Sequence, residues 1–221
     1  MGIAKNFLKK VKINMSELST LLLEWFDLNK RGLPFRKNNK PYDVWVSEIM
    51  LQQTKVDTVI PYYNAWMKKF PNIESVSEAS EESILKSWEG LGYYSRSRNF
   101  HKAAKIIKKN FNSKIPDSWD DFRLLPGVGD YTAGAVLSIA FNKSYVAVDG
   151  NVKRVMARLT SRKKLSQHNL RFIKSKLLKF MDKNRAGDFN QAMMELGACV
   201  CLPRNPKCEQ CPINKICNAY I

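Results

Sequence analysis

Four cysteines toward the end of this 221-residue chain, Cys201, Cys208, Cys211 and Cys217, are spaced C-x6-C-x2-C-x5-C. Thiolates crowded in this way can wrap one metal centre, and the set suits either zinc or an iron–sulfur cluster. The competing chemistry is a pair of disulfides. Disulfide frameworks belong to small oxidised scaffolds, whereas this chain is long and carries no signal-peptide pattern. A fifth cysteine, Cys199, makes the count odd, which favours four ligands and a spare buried thiol. Spacing alone does not choose between zinc and iron–sulfur.

Two other stretches could do chemistry. In Leu125-Pro126-Gly127-Val128-Gly129 two glycines flank a small apolar residue. Such a hairpin would expose backbone N–H groups at the head of the next helix, where the dipole favours a DNA phosphate. The alternative is an ordinary glycine-containing helix connection. Asp149 follows twenty residues after Gly129, at the end of Val146-Ala147-Val148 and just before Gly150. It can cap the helix starting there, stabilise a positive sugar from the edge of a cleft, or do both.

These groups must be held by a scaffold that the rest of the chain supplies. Hydrophobic residues make up 44% of it, enough to bury a core in one or two domains. No repeat, low-complexity segment or Gly/Ser linker divides it, so a second domain would have to be built from interleaved segments. Ser16–Leu28 places Leu18, Leu21, Leu22, Trp25 and Phe26 on one helical stripe. Pro41 suits the first turn of a helix running to about Lys55, and Val56 to Phe70 forms another. Arg98 to Phe111 sets Phe100, Ala103, Ile106 and Ile107 against Lys102, Lys105, Lys108 and Lys109, one buried face and one basic face. Shorter helices are predicted at 119–124, 131–141, 150–160, 170–181 and 188–200. Tyr145–Val148 is the one strand candidate, so the fold class is all-α.

Charge bounds the partner. Lys and Arg number 37 against 20 Asp and Glu, a net +17 distributed along the whole chain. That excess calls for a polyanion, nucleic acid before anionic lipid. No apolar run approaches the roughly 20 residues of a membrane helix, so no membrane partner is expected. Residues 1–12, with Lys5, Lys9, Lys10 and Lys12 among Phe7, Leu8 and Val11, read as a frayed basic arm rather than a targeting peptide. A monomer in the cytoplasm, associated with the nucleoid, is expected.

The hairpin, the aspartate twenty residues later and the terminal cysteine spacing together resemble the endonuclease III superfamily of helix-hairpin-helix DNA glycosylases. The cysteine spacing matches that family's 4Fe–4S loop, so the resemblance implies a 4Fe–4S cofactor. Four further segments resemble the MutY branch, the adenine glycosylases: 45–54 (WVSEIMLQQT), 90–94 (GLGYY), 149–155 (DGNVKRV) and 190–198 (NQAMMELGA). The likeness extends from about Leu21 to Cys217. It implies two helical lobes flanking a DNA-binding cleft. One is a helical barrel carrying the hairpin, residues 32–142; the other is the cluster lobe, residues 1–31 with 143–221.

The resemblance also implies roles. Releasing a purine requires protonation of the leaving base and stabilisation of an oxocarbenium-like sugar, the two-carboxylate logic of glycoside cleavage. Glu48, among Trp45, Val46, Ile49 and Leu51, is the expected acid, kept protonated by an apolar setting. Asp149 is the ionised partner, and Asn151 positions it or the attacking water. Tyr131 stands where strand-cutting relatives carry a Schiff-base lysine, so a monofunctional hydrolase is expected, the phenol bonded to Asp149 or a phosphate. Gln53 and Tyr93 match the residues that fill the gap left by a flipped base, with Leu91 and Thr54 beside them. Gly127, Val128 and Gly129 would take the phosphate, and Arg31, Leu33 and Glu195 would line the adenine pocket. Double-stranded DNA with a mismatched or damaged pair is the implied partner.

Two features depart from the branch. The chain stops at Ile221 without the further domain that recognises 8-oxoguanine, and Phe35 replaces the tryptophan of Leu-Pro-Trp-Arg. Compact relatives remove thymine or uracil opposite guanine, which is the alternative activity. A non-catalytic, redox-sensing DNA-binding protein and a zinc-containing nucleic-acid module are further alternatives from other classes.

Overall fold

The computed structural model describes residues 15–161 and 167–220; the basic segment 1–12 lies outside them. Eleven α-helices run through the described residues: α1 (Met15–Asn29), α2 (Pro41–Leu51), α3 (Val56–Lys69), α4 (Ile73–Glu78), α5 (Glu81–Lys86), α6 (Ser95–Asn110), α7 (Trp119–Arg123), α8 (Asp130–Phe141), α9 (Gly150–Leu159), α10 (Gln167–Phe180) and α11 (Ala186–Cys199). No strand occurs among the described residues, so the chain is all-α. No helix there is long and apolar enough to cross a membrane.

The chain divides into two compact units. One gathers the described residues of Met1–Lys30, Val148–Asp182 and Gln191–Ile221; the other is Arg31–Ala147 with Lys183–Asn190. The larger unit is built around α2, which has Tyr42, Val44, Trp45, Val46, Ile49 and Met50 all buried. It packs on α3 and α8, while α4 and α5 pack on α6. Aromatic rings fill the space between. Trp45 meets Phe100 and Phe122 edge-on at 4.8 and 5.1 Å, and Trp66 meets Trp88 at 5.5 Å. Such pairs add about 0.5–1.5 kcal/mol each beyond the area they bury. Lys183–Asn190 joins this unit through Asn142, the left-handed cap of α8 (φ 51°), whose side chain accepts from Ala186 N and donates to Asn184 O.

In the smaller unit α1 packs on α10, and α10 on α9. Leu18, Leu22 and Phe26 of the predicted stripe are buried, but Leu21 and Trp25 are only half-buried and Leu23 takes the remaining core place. Two expectations fail locally, and one connection holds elements that were not expected. α2 ends at Leu51 rather than near Lys55, because Gln53 adopts a left-handed backbone (φ 57°). The strand candidate Tyr145–Val148 is irregular chain: buried Asn190 holds it, donating to Tyr145 O and accepting from Ala147 N. The connection after α3 holds two unforeseen six-residue helices, each with a side-chain N-cap, Asn72 on Ser75 N and Ser80 on Ser83 N.

Candidate functional site

In the larger unit the site is assembled around α2. Buried Glu48 (7% exposed) faces the head of α8, where the Tyr131 hydroxyl donates to its Oε2 at 2.6 Å. This contact spans α8 and α2, which pack on each other. Gln52 reinforces this contact, its Nε2 donating to Thr132 Oγ1 at 3.3 Å. The geometry is a carboxyl excluded from bulk water and oriented by a phenol.

The hairpin before α8 is built as a tight turn. Gly127 has φ 79°, and a Cβ there would lie 2.8 Å from Asn99 Cβ, so both conformation and space require glycine. Val128 N donates to Leu125 O, and Arg123 clamps the far side through Val128 O at 2.6 Å and Asp130 Oδ1 at 3.0 Å. Gly127 and Gly129 are exposed, while the Val128 side chain is buried. The turn therefore offers a phosphate backbone atoms and the N–H groups of the first turn of α8, not the valine side chain.

Gln53 and Tyr93 are both exposed, Tyr93 at 58%, and both sit in left-handed backbone (φ 57° and 50°). Thr54 is half-buried beside Gln53, its hydroxyl donating to Gln52 O. Leu91 is different: its side chain is in the core at 5% exposure, so only its backbone is offered at the surface. Leu33 is also buried, Arg31 half-buried, and Phe35 is buried, packing edge-on against Tyr63 at 5.6 Å.

In the smaller unit Asp149 caps α9, its Oδ1 accepting from Val152 N at 2.7 Å. Its other oxygen accepts from Asn151 Nδ2 at 2.9 Å. Asn151 Oδ1 in turn accepts from Arg154 Nη2 at 2.8 Å. Arg154 goes on to Gly197 O and Cys201 O at 2.7 and 2.8 Å. One turn further along, Arg158 donates to Cys201 Sγ at 3.2 Å, Leu202 O at 2.7 Å and Pro203 O at 3.1 Å. A single face of α9 thus ties the carboxylate to the cysteine loop, and neither arginine was a sequence-level candidate. The DGNVKRV segment contained Arg154 without indicating its role. Glu195 is buried on α11 at 1% exposure, and Gly197 touches Asn151 so closely that a Cβ would stand 2.5 Å from Asn151 Cβ.

None of the five cysteines, all among the described residues, is in a disulfide. Cys201, Cys208, Cys211 and Cys217 line one cavity of about 110 Å³. Yet no three cysteine, histidine or carboxylate side chains among the described residues are gathered closely enough to hold a single metal ion. A cavity lined by four thiols presents the donor set that an iron–sulfur cluster takes. Burial pushes the Cys211 thiol up to about 11, opposed by the Ile213 amide and reinforced by the neighbouring thiols of Cys217, Cys201 and Cys208. Burial raises Cys217 likewise. Uncoordinated, Cys211 and Cys217 keep their protons at neutral pH, and ligation would displace them.

Comparison with known proteins gives this geometry a context. Residues 46–180 match the HhH-GPD superfamily base excision DNA repair protein model. Residues 201–217 match the iron–sulfur binding domain of endonuclease III. That match gives the chain a 4Fe–4S cluster, and the four cysteines within the matched residues are its candidate ligands. The chain is 43% identical over 205 residues to an adenine DNA glycosylase of Buchnera aphidicola subsp. Baizongia pistaciae, covering 90% of this chain and 57% of the relative. It is 44% identical over 213 residues to the adenine DNA glycosylase of Mus musculus, covering 90% and 41%. The chain thus spans about half the length of these curated relatives. Among solved structures, a thermostable thymine-DNA glycosylase superposes with a TM-score of 0.84 at 26% identity, over 93% of this chain and 96% of that one. A trapped endonuclease III–DNA covalent intermediate gives 0.77 at 22% identity over 94% and 97%, a likeness of fold alone.

Proposed function

Because this chain belongs to the HhH-GPD superfamily of base excision DNA repair proteins, we propose that it is a monofunctional DNA glycosylase that hydrolytically removes adenine mispaired with guanine or 8-oxoguanine. The observation that carries this reading is the buried Glu48 carboxyl bonded to Tyr131 at the head of the helix that follows the hairpin. It joins an acid, excluded from bulk water, to a phosphate-binding turn through one helix.

In this reading double-stranded DNA binds across the basic surface, the hairpin amides take a phosphate, and the target nucleotide leaves the stack. Gln53 and Tyr93 fill the gap. Arg31, Leu33 and Glu195 are the residues proposed to recognise the base. Glu48 gives its proton to the departing base. Asp149, held by Asn151 and Val152 N, offsets the positive charge that develops on the sugar. Water adds to the sugar, and the strand remains intact because Tyr131 has no amine with which to form a Schiff base. Cys201, Cys208, Cys211 and Cys217 would hold the cluster, which would supply a structural crosslink and a one-electron centre, outside the hydrolysis.

The preference for adenine is supported by the 43% and 44% identities to adenine glycosylases. The thymine-DNA glycosylase, matched over nearly its full length, keeps thymine as the second reading. Single-turnover base release on duplexes carrying A opposite G, A opposite 8-oxoguanine, T opposite G and U opposite G tests both. Adenine loss that becomes strand cleavage only after alkali is the expected outcome. Thymine or uracil release would replace adenine as the substrate, and affinity without release from any duplex would leave a DNA-binding sensor.

A further inference from the structure

Arg96, in the first turn of α6, is buried at 9% exposure, and no role has been assigned to it so far. Its Nη1 donates to Ile49 O and Met50 O at 2.9 Å each and to Gln52 O at 2.5 Å. Its Nη2 donates to Leu91 O and Gly92 O at 3.1 Å each and reaches Thr54 Oγ1 at 3.3 Å. The guanidinium carbon lies 5.4 Å from the centres of both the Trp88 and Tyr93 rings. Ile49, Met50 and Gln52 lead out of α2, where carbonyls lack intrahelical partners and the dipole is negative. Leu91 and Gly92 belong to the turn that delivers Tyr93. One side chain thus satisfies carbonyls of two segments about forty residues apart, each of which holds a non-glycine residue, Gln53 or Tyr93, in left-handed backbone. A planar fork with fixed charge can bridge two loops in this way; a single ammonium cannot.

From this we infer that Arg96 is a positioning residue that fixes Gln53 and Tyr93 as one rigid wedge, so that base extrusion from a paired duplex depends on it. This rests on the glycosylase reading above. Arg96 touches neither the base nor the sugar in that mechanism; it acts through the two segments whose tips do. Loss of the wedge leaves the duplex stack unopposed, and unstacking is worth roughly a hundredfold in rate.

The test compares wild type, Arg96→Lys and Arg96→Met, as full chains with cluster, in single-turnover adenine release from two substrates. One carries adenine opposite guanine; the other presents adenine in an unpaired bulge, already out of the stack. Both variants are expected to slow by roughly a hundredfold on the paired substrate and by less than about threefold on the bulge. Tyr93→Ala should show the same split, and adding it to Arg96→Lys should slow the paired substrate little further. Equal slowing on both substrates, or paired release at the wild-type rate in Arg96→Lys, overturns the inference while leaving the glycosylase reading intact. If Arg96→Met does not fold, Arg96→Lys and the double variant decide. Failure of the wild type on both substrates overturns the glycosylase reading and this inference with it.

Discussion

Substituting Gly197 by alanine puts one methyl group where α11 meets α9. The added Cβ would stand 2.5 Å from Asn151 Cβ, 3.1 Å from its Cα and 3.2 Å from its carbonyl carbon. Two of those atoms are backbone, so no rotamer change relieves the contact. Restoring an ordinary carbon–carbon separation of about 3.6 Å moves Asn151 by roughly 1 Å. That strains the 2.9 Å bond to Asp149 and the 2.8 Å bond from Arg154 together. At an effective dielectric of ~20, Asp149 retreating from ~4 to ~5 Å from the sugar loses about 0.8 kcal/mol of charge stabilisation. Losing the amide's bond to the carboxylate adds about 1.5–3 kcal/mol. Together these predict base release roughly 50- to 600-fold slower. Overpacking also lowers stability by about 1–3 kcal/mol, so the rate is measured well below the unfolding midpoint. Gly150→Ala is the matched control, because its Cβ meets nothing within 4 Å. Single-turnover adenine release decides. Gly197→Ala at the wild-type rate, or Gly150→Ala equally impaired, would refute the claim that Asn151 sets the position of Asp149.

Three other outcomes follow from the geometry. Tyr131→Phe removes the 2.6 Å bond to Glu48, worth about 1–3 kcal/mol in a buried setting, and should slow base release while leaving affinity for an abasic duplex unchanged; an unaltered rate would separate Tyr131 from the chemistry. Arg158→Ala strips donors from Cys201 Sγ, Leu202 O and Pro203 O, and iron content per purified chain should fall; full occupancy and unchanged resistance to chelators would count against the contact. Burial, then Lys105, lowers the pKa of His101, partly opposed by the Ala79 backbone and Glu81, and its Nε2 has no hydrogen-bond partner. A lowered folded-state value means the unfolded chain protonates first, so stability is intact above about 6.5 and falls as pH drops below it. His101→Gln should flatten that fall, and parallel melting-temperature profiles for the two proteins would refute the assignment.

The cysteine ring and the longer helices were legible because their signals are local: ligand spacing for one, apolar residues every three or four positions for the other. The losses come from the scale at which residues are positioned. α4 and α5 are six residues each, too short for a period to register, and are defined by the caps Asn72 and Ser80. Tyr145–Val148 has strand-like composition, but a side chain more than forty residues away takes its backbone groups. Leu91 and Val128 stand within site motifs, yet their side chains are core, since only the turns they shape reach the surface. Arg96, Arg154 and Arg158 carry no pattern of their own. An arginine bound to carbonyls far along the chain looks, in sequence, like any other contributor to a basic surface.

The interleaving of the two units has a consequence for how the molecule is made. Nearly all of the larger unit lies within Arg31–Ala147, a continuous stretch that leaves the ribosome early, whereas the other unit needs Cys217. About 70 residues separate Ala147 from that last cysteine, roughly 4 to 14 seconds of synthesis at ordinary elongation rates. For about the first half of that interval α1 has been translated but its packing partner α10, which ends at Phe180, has not been completed. The Asp149 cap forms before the loop that Arg154 grips exists. Iron delivery therefore acts on a chain whose other half can already be folded, and a nascent chain interrupted before Cys217 would carry a finished hairpin and Glu48 while its cluster loop is incomplete.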